Sequence, residues 1–348
     1  MQKKLYCAFA LFFLLLGVGE AARAATPIKI VTASDRGTYI QIGRDLARFV
    51  APAADIELEV LSSAGSAENV HRLRYEPGVK FALVQSDVYQ AFINQGDRGV
   101  AEAASLIRPL RVVLPLYNEE IYFIVRADSP MNWVHEIKGA RISAGALRSG
   151  TAMSTTTIYN LLFKEPVSES NTSFASNEEG LAKLVNDKSV DVVVVVAGQP
   201  AKLLVDMKSE ARNVIKLLKF DPQHASSRDV LKTYFQSAVR ASNYPNLLAE
   251  DVPGLAVKAF LVTYDYNLAQ TVSSLGKFGR SLCANFETLR AQGHPKWKEV
   301  DLAMPELGKG WQYYPPIARE IGRCAVPAPV KAPVRACSIE QNILGLCK

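Results

Sequence analysis

The sequence predicts an α/β protein of two lobes, each built on a parallel or mixed sheet. Five times, an apolar run of strand length ends in a short loop of small polar residues. After most of these loops, apolar residues recur at helical spacing. Strands that alternate with helices are typical of parallel sheets. Removing a targeting segment leaves roughly 320 residues, a length that suits two domains.

Three strand-loop-helix units are predicted in the first lobe. Their strands are residues 28–32, 56–60 and 81–84. Each strand is rich in β-branched or large apolar residues. The helix after the first strand carries Tyr39, Ile42 and Leu46 on one face, at the spacing of an amphipathic helix.

The strand pattern starts again after an extended segment. Residues 110–116 and 121–125 are predicted to be extended, with an interruption at Asn118, Glu119 and Glu120. A strand follows at 141–144, and the valine run 190–196 is typical of a strand buried on both faces. Residues 257–264 then carry the chain back to the first lobe, where 268–289 are predicted to form one helix.

This pattern predicts four segments. Residues 1–24 are a signal peptide, 25–126 with 251–322 form lobe I, 127–250 form lobe II, and 323–348 are a C-terminal extension rich in Cys and Pro. Two extended crossings, near 117–126 and 250–264, are expected to act as the hinge between the lobes.

The N-terminus has the features of an export signal. Lys3 and Lys4 precede an apolar stretch at 5–18, and Ala22-Arg23-Ala24 is a suitable cleavage site before Ala25. We therefore expect a periplasmic protein. Without this segment the formal net charge falls from +6 to +4, and the charges are dispersed. Dispersed charge disfavours a nucleic-acid partner, and we expect a monomer.

Four cysteines remain after the signal, all near the C-terminus. They are Cys283, Cys324, Cys337 and Cys347. In an exported chain such cysteines form disulfides. We expect two disulfides. Cys283, on a helix of lobe I, is bonded to one of the other three, and the remaining two close a small loop. Zinc is the alternative, but there is no Cys-x-x-Cys pair and the four histidines are scattered. No metal and no cofactor are predicted.

The polar loops are the candidate binding site. At the carboxyl ends of parallel strands they would open on one cleft, where the following helices offer free N–H groups. Taken alone, any one Ser or Asp among them is better explained as an ordinary helix N-cap, so the prediction of a site rests on the convergence of the loops. The candidate ligand-binding residues are Arg36, Gly37, Thr38, Tyr39, Gly65, Ser66, Gln85, Ser86, Asp87, Arg148, Ser149, Gly150, Thr151, Gly198 and Gln199.

The same loops resemble the TAXI family, the solute receptors of tripartite ATP-independent periplasmic (TRAP) transporters. The resemblance rests on Gly37-Thr38-Tyr39, Gly65-Ser66-x-Glu68-Asn69, 82–87 and Ser149-Gly150-Thr151, and extends from 28 to 322. It implies a type II periplasmic binding protein that closes on a small carboxylate, such as glutamate or a dicarboxylate. It also implies docking on the permease subunits of a TRAP transporter.

Arg36 and Arg148 depart from the family pattern, which commonly has glycine there. If one arginine faces the cleft from each lobe, both would bind a ligand carboxylate, although either could be a solvated surface residue. An enzyme is not expected, because no Gly-x-Ser-x-Gly, His-Glu-x-x-His, Walker or Gly-x-Gly-x-x-Gly motif occurs. The alternative function is a periplasmic adaptor that senses a ligand for a membrane receptor and has no role in transport.

Overall fold

The structure is a computed structural model that describes residues 25–97, 99–308 and 310–325. The predicted signal peptide, Cys337 and Cys347 lie outside the described residues. No helix of the described part is long and apolar enough to cross a membrane.

Strands and helices alternate along most of the chain. The strands are β1 Thr26–Val31, β2 Ile56–Leu61, β3 Val79–Gln85, β4 Leu110–Arg126, β5 Ile142–Ser143, β6 Thr172–Ser173, β7 Val192–Ala197, β8 Ile215–Leu217, β9 Phe235–Val239 and β10 Val252–Tyr264. The helices are α1 Thr38–Asp45, α2 Ser66–Tyr75, α3 Val88–Asp97, α4 Ala101–Ile107, α5 Gly150–Phe163, α6 Asn177–Ala182, α7 Lys202–Val205, α8 Ser227–Val230, α9 Ala269–Ala284, α10 Phe286–Gln292 and α11 Pro315–Ala325. A π-helical turn continues α1 at Leu46–Val50 and another continues α6 at Lys183–Asp187, and a 3-10 turn covers Pro295–Glu299.

All these strands join one mixed sheet. Its order is β2-β1-β3-β10-β4-β7-β5-β6, with β8 beside β4 and β9 beside β10. The pairs β1–β2, β1–β3, β5–β6 and β5–β7 are parallel, whereas β4 and β10 run antiparallel to their neighbours. The predicted α/β fold with mixed sheets is confirmed.

Strands β4 and β10 are long because both cross from one lobe to the other. Strand β4 has 17 residues and continues without a break through Asn118, Glu119 and Glu120. The predicted interruption at these residues is wrong. All three pair with β10, with Glu119 opposite Val257, so the ladder hydrogen bonds of β10 keep this polar segment extended.

The apolar cores divide the chain into two lobes. The clusters of the first lobe contain side chains from 28–117 and 259–321. Met153, from the second lobe, also packs against one of them. The remaining clusters contain side chains from 121–257. The valines of β7 belong to two different clusters, as expected for a strand covered on both faces. The lobe boundaries predicted from the sequence remain a prediction.

The segment 268–289 is two helices rather than the predicted one. Helix α9 ends at Ala284 and α10 begins at Phe286. Asn285 between them has φ −105° and ψ 10°, outside the helical region. Its side-chain amide donates to the carbonyl of Ser281 at 2.9 Å and so satisfies one of the last carbonyls of α9.

A disulfide attaches the last described helix to the first lobe. Cys283 on α9 is bonded to Cys324 on α11. The expectation that Cys283 pairs with one of the three later cysteines is therefore confirmed, and the partner is Cys324. Helix α11 also buries Ile317 and Ile321 in the core of the first lobe.

Candidate functional site

A cleft of about 330 Å³ lies between the lobes, where the loops after β1, β2, β3 and β5 meet. Its walls consist of small and polar residues from both lobes. The lining residues are Ala33, Ser34, Gly37, Thr38, Tyr39, Ser63, Ala64, Gly65, Ser66, Gln85, Glu119, Ala146, Ser149, Gly150, Thr151, Ser176, Asn177, Glu178, Val196 and Ala197. Nine of the fifteen residues predicted from the sequence are among them.

Three helices of eight or more residues begin at this cleft. Helix α1 starts at Thr38 and α2 at Ser66, both in the first lobe, and α5 starts at Gly150 in the second. The first turn of a helix has N–H groups without intrahelical partners and is the positive end of the helix dipole. The arrangement therefore directs hydrogen-bond donors and partial positive charge from both lobes into the cleft.

Polar residues beneath the loops hold them in place. The buried Asn69 side chain donates to the carbonyls of Thr32 at 2.5 Å and Leu83 at 2.7 Å. Thr32 directly follows β1, and Leu83 lies near the end of the neighbouring β3. The hydroxyl of Ser66 accepts from the backbone N–H of Gln85 at 3.0 Å. The Ser149 hydroxyl accepts from the N–H of Ala152 at 3.0 Å and is the N-cap of α5.

The two lobes touch across the cleft at a pair of glycines. Gly65 has φ +126°, and a Cβ added there would lie 3.2 Å from the backbone nitrogen of Gly150. A Cβ added to Gly150 would lie 2.0 Å from Oε1 of Gln85. The N–H of Glu68 also donates to the carbonyl of Arg148 at 3.1 Å. The structure is therefore a closed arrangement, and it requires glycine at both positions.

Glu119 on β4 contributes a buried carboxyl to the cleft. The residue is 4% exposed, and Tyr39 donates its hydroxyl to Oε2 of Glu119 at 2.7 Å. Burial raises the pKa of Glu119 to about 8, although the Tyr39 hydrogen bond acts in the opposite direction. Burial, followed by the neighbouring Glu119, raises the pKa of Tyr39 well above its usual value.

Ser86 and Asp87 lie outside the cleft, beside a separate cavity of about 240 Å³ lined in part by Trp311. Asp87 is 3% exposed, and its Oδ2 accepts from the hydroxyls of Ser154 at 2.6 Å and Tyr234 at 2.8 Å. Burial raises the pKa of Asp87. Both donors belong to the second lobe, so Asp87 links the lobes.

The two arginines do not line the cleft. The Arg36 side chain is 79% exposed, and its guanidinium is 3.8 Å from the carboxylate of Glu178 at the cleft margin. Arg148 has φ +66°, and its side chain lines a shallow surface depression beside His71 and Tyr75. The idea that both guanidinium groups bind ligand therefore remains a prediction, without support from their positions.

Gly198 and Gln199 lie near the crossing strands, outside the cleft. The backbone N–H of Gln199 donates to Oε2 of Glu120 at 3.0 Å, and its side-chain amide donates to the carbonyl of Ala238 at 2.9 Å. Gly198 packs beside Tyr117 and Lys296. Gln199 therefore links β4 to β9, whereas Gly198 leaves room for the side chains of Tyr117 and Lys296.

Several cleft residues were missed by sequence reasoning. These are Ala33, Ser34, Ser63, Ala64, Glu119, Ala146, Ser176, Asn177, Glu178, Val196 and Ala197. Two signals were available. Ser176 followed by Glu179 is a capping pattern, and the Ser176 hydroxyl does accept from the N–H of Glu179 at 3.1 Å. The second signal was the pair of adjacent carboxylates within the apolar run 110–125, because charged residues in a buried segment are candidates for a functional site.

Several solved structures of periplasmic or solute-binding proteins are similar to this chain, at low sequence identity. It matches the periplasmic binding protein BugD at 11% identity and a TM-score of 0.49, covering 86% of this chain and 94% of that one. It matches a periplasmic transporter at 12% identity and a TM-score of 0.48, covering 87% and 95%. It matches a TctC solute-binding protein from Polaromonas at 14% identity and a TM-score of 0.41, covering 87% and 98%.

The sequence match is more direct than these structural similarities. Residues 30–302, which include both lobes and the described cleft, match the NMT1-like family. The chain belongs to the NMT1-like family.

Proposed function

We propose that this chain is an extracytoplasmic receptor that captures a small carboxylate in the cleft and delivers it to a TRAP-type membrane permease. The observation that carries the proposal is the meeting of three helix N-termini, those of α1, α2 and α5, from opposite lobes at one cleft. Such N-termini are suited to bind an anion through backbone N–H groups. The carboxylate is therefore bound mainly by the backbone rather than by arginine side chains.

The motifs that resemble the TAXI family support this function. Gly37-Thr38-Tyr39 and Ser149-Gly150-Thr151 line the cleft from opposite lobes. Strands β4 and β10 pass between the lobes and are suited to act as the hinge of a closing receptor. The glycine contact at Gly65 and Gly150 would then form only on closure.

The lining favours binding over catalysis. Among the described residues, the cleft lining includes serines and threonines but no histidine or lysine that could activate one of them as a nucleophile. The chain would act in the periplasm after cleavage before Ala25. Intact-mass analysis of exported protein is expected to show Ala25 as the N-terminal residue.

Calorimetry and small-angle scattering on the mature chain test the proposal together. The panel consists of amino acids, dicarboxylates and 2-oxo acids. We expect one class to bind and to reduce the radius of gyration as the lobes close. A ligand at a hundred times its dissociation constant adds about 2.7 kcal/mol to the free energy of unfolding. If no member of the panel binds, the carboxylate receptor is rejected.

A gene deletion distinguishes delivery from sensing. Loss of uptake of the radiolabelled ligand supports delivery to a permease. Unchanged uptake with a lost transcriptional response to the ligand supports the sensing adaptor instead.

A further inference from the structure

The anion-binding role of the helix N-termini leaves one feature of the cleft unused, the carboxyl group of Glu119. The described cleft lining contains two glutamates. Glu119 is buried, whereas Glu178 lies at the margin with its side chain 53% exposed. Glu178 has Arg36 as its ion-pair partner. Among the described residues, no Lys, Arg or His nitrogen lies within 4.0 Å of the Glu119 carboxylate.

Groups from four elements surround this carboxyl. Tyr39 of α1 donates a hydrogen bond to it, Gln85 of β3 stabilises its charged form, and its strand neighbour Glu120 disfavours it. Lys296, on the 3-10 turn 295–299, is the cation that lowers its pKa. Tyr117 of β4 is also close enough to affect Tyr39.

Lys296 is committed to other partners. Its Nζ donates to both carboxylate oxygens of Glu299 at 2.9 Å and to the carbonyl of Asn118 at 3.2 Å. Its contact with Glu120 is 3.8 Å. Glu299 therefore largely neutralises the charge of Lys296, which leaves little of it to stabilise an ionised Glu119.

A buried carboxylate without a cation is costly, so Glu119 is largely neutral when no ligand is bound. Burial raises the Glu119 pKa to about 8, which agrees with this environment. A ligand that brings its own positive charge would supply the absent partner. A ligand with only negative charges would instead place a second carboxylate near Glu119.

We propose that Glu119 binds a cationic amino group of the ligand, so that the cleft takes a zwitterion. The ligand carboxylate lies at the N-termini of α1, α2 and α5, and the ammonium lies at Glu119 beside the Tyr39 hydroxyl. This assignment rests on the proposed carboxylate receptor and specifies its ligand: compounds with an amino group are bound, and dicarboxylates without one are discriminated against.

Matched pairs of ligands that differ only in the amino group test the assignment by calorimetry. The pairs are glutamate with glutarate, aspartate with succinate, and leucine with 4-methylpentanoate. We expect the amino compound of at least one pair to bind about tenfold or more tightly, the range for a hydrogen bond between charged groups. Glu119→Gln should remove that preference.

Proton exchange gives a readout that a purely structural role would not change. Binding of an ammonium should release a proton from Glu119 below pH 8, and affinity should rise as the pH approaches 8. Titrations at pH 7 in phosphate and in Tris measure this release from the difference in apparent enthalpy. A dicarboxylate that uses neutral Glu119 as a donor would release no proton, and its affinity would fall as the pH rises through 8.

Glu120→Gln is the matched control. Glu120 is the next residue on β4 and is also 4% exposed, but it lines a third cavity, which is bounded by Gln199 and is separate from both the cleft and the Trp311 cavity. This variant should retain the amino preference, and any change in its proton release should be small because Glu120 is the weakest of the influences named for the Glu119 pKa. A preferred ligand without an amino group, or an unchanged preference in Glu119→Gln, overturns the assignment while leaving the carboxylate receptor intact. If nothing in the panel binds, both fail.

Discussion

Asp87 and Tyr234 connect the two lobes through one buried hydrogen bond. The Tyr234 hydroxyl, from the second lobe, donates to Oδ2 of Asp87, from the first, at 2.8 Å. Both residues are almost completely buried, since Tyr234 is 1% exposed and Asp87 is 3% exposed. Separation of the lobes would break this bond, so it contributes to the closed arrangement and not to the stability of either lobe alone.

Tyr234→Phe should therefore weaken ligand binding without touching the ligand. The loss of one hydrogen bond in the closed form is worth about 1 kcal/mol, or roughly fivefold in affinity. Calorimetry with whichever compound of the panel binds measures the change, and scattering should show a larger radius of gyration in the free protein.

Tyr264→Phe is the control for that substitution. The Tyr264 hydroxyl donates to the carbonyl of Leu106 at 2.6 Å, and both residues belong to the first lobe. This variant should lower the free energy of unfolding by about 1 kcal/mol, the value of one hydrogen bond, while keeping wild-type affinity for the ligand. Equal affinity losses in both variants would mean that Tyr234 has no specific role in closure.

Gly150→Ala should block closure by direct overlap. The added Cβ would lie 2.0 Å from Oε1 of Gln85 and 2.7 Å from the Ser66 hydroxyl, both across the lobe boundary. We expect the affinity to fall by about tenfold or more and the ligand-induced decrease in the radius of gyration to disappear. The free energy of unfolding should change much less, because the lobes can remain apart.

Gly276→Ala provides the comparison, since nothing lies within 4 Å of a Cβ added there in α9. Alanine in a helix interior is more favourable than glycine by about 1 kcal/mol. The control should therefore be as stable as the wild type or more stable, with unchanged affinity.

The repeated strand-loop-helix pattern explains why much of the fold was predictable. Each loop with Gly, Ser or Thr follows a strand whose side chains are buried, so its position follows from the hydrophobic pattern alone. Gly37, Gly65 and Gly150 were found in this way, and all three line the cleft. The disulfide was predictable because Cys283 falls on a periodic helix in a chain whose N-terminus predicts export.

The adjacent carboxylates Glu119 and Glu120 stand out in the sequence, but the local pattern does not show which of them enters the cleft, since adjacent polar residues normally indicate a loop. Here they stay in a strand because β10 supplies the ladder hydrogen bonds, and that pairing joins distant parts of the chain. Neighbouring side chains on a strand point to opposite faces. Accordingly, Glu119 reaches the cleft while Glu120 reaches the cavity beside Gln199.

The direction of Arg148 was equally unpredictable. Its left-handed backbone, φ +66°, is uncommon for a residue other than glycine and cannot be read from the sequence around it. Ser149 therefore faces the cleft while Arg148, one residue earlier, lines the surface depression near His71.

Removing the disulfide should reduce stability and spare ligand binding. The bond joins residues 41 apart and lies between α9 and α11, away from the cleft lining. The double variant with Cys283→Ser and Cys324→Ser should lose about 3 to 4 kcal/mol in the free energy of unfolding. Urea denaturation measures this loss, and calorimetry should give wild-type affinity. A fall in affinity with unchanged stability would contradict the structural role.

Arg36→Ala distinguishes the sequence-based hypothesis from the position seen in the structure. A guanidinium that binds ligand directly would cost about 1.5 to 3 kcal/mol of binding free energy when removed. An exposed ion pair such as Arg36 with Glu178 is worth only about 0 to 1 kcal/mol. We expect the smaller effect, and the same for Arg148→Ala. A loss in the larger range would show that the arginine moves into the cleft when ligand binds.

Glu119→Gln should stabilise the ligand-free protein, and the gain should depend on pH. An unfolded glutamate has a pKa of about 4.3, whereas burial raises the pKa of Glu119 in the folded chain to about 8. Between these values the folded state holds a proton that the unfolded state has released, so this carboxyl lowers wild-type stability as the pH rises. Glutamine has no such proton.

The difference in melting temperature between Glu119→Gln and the wild type should therefore grow from pH 5 to pH 8 and then stay constant. Thermal unfolding of the ligand-free proteins across this range measures it, and saturating amino compound should reduce the difference by pairing the ionised carboxylate. If the difference in melting temperature does not vary with pH, Glu119 is ionised in the ligand-free protein. Its charge would then already be balanced, and no ligand ammonium would be needed to balance it.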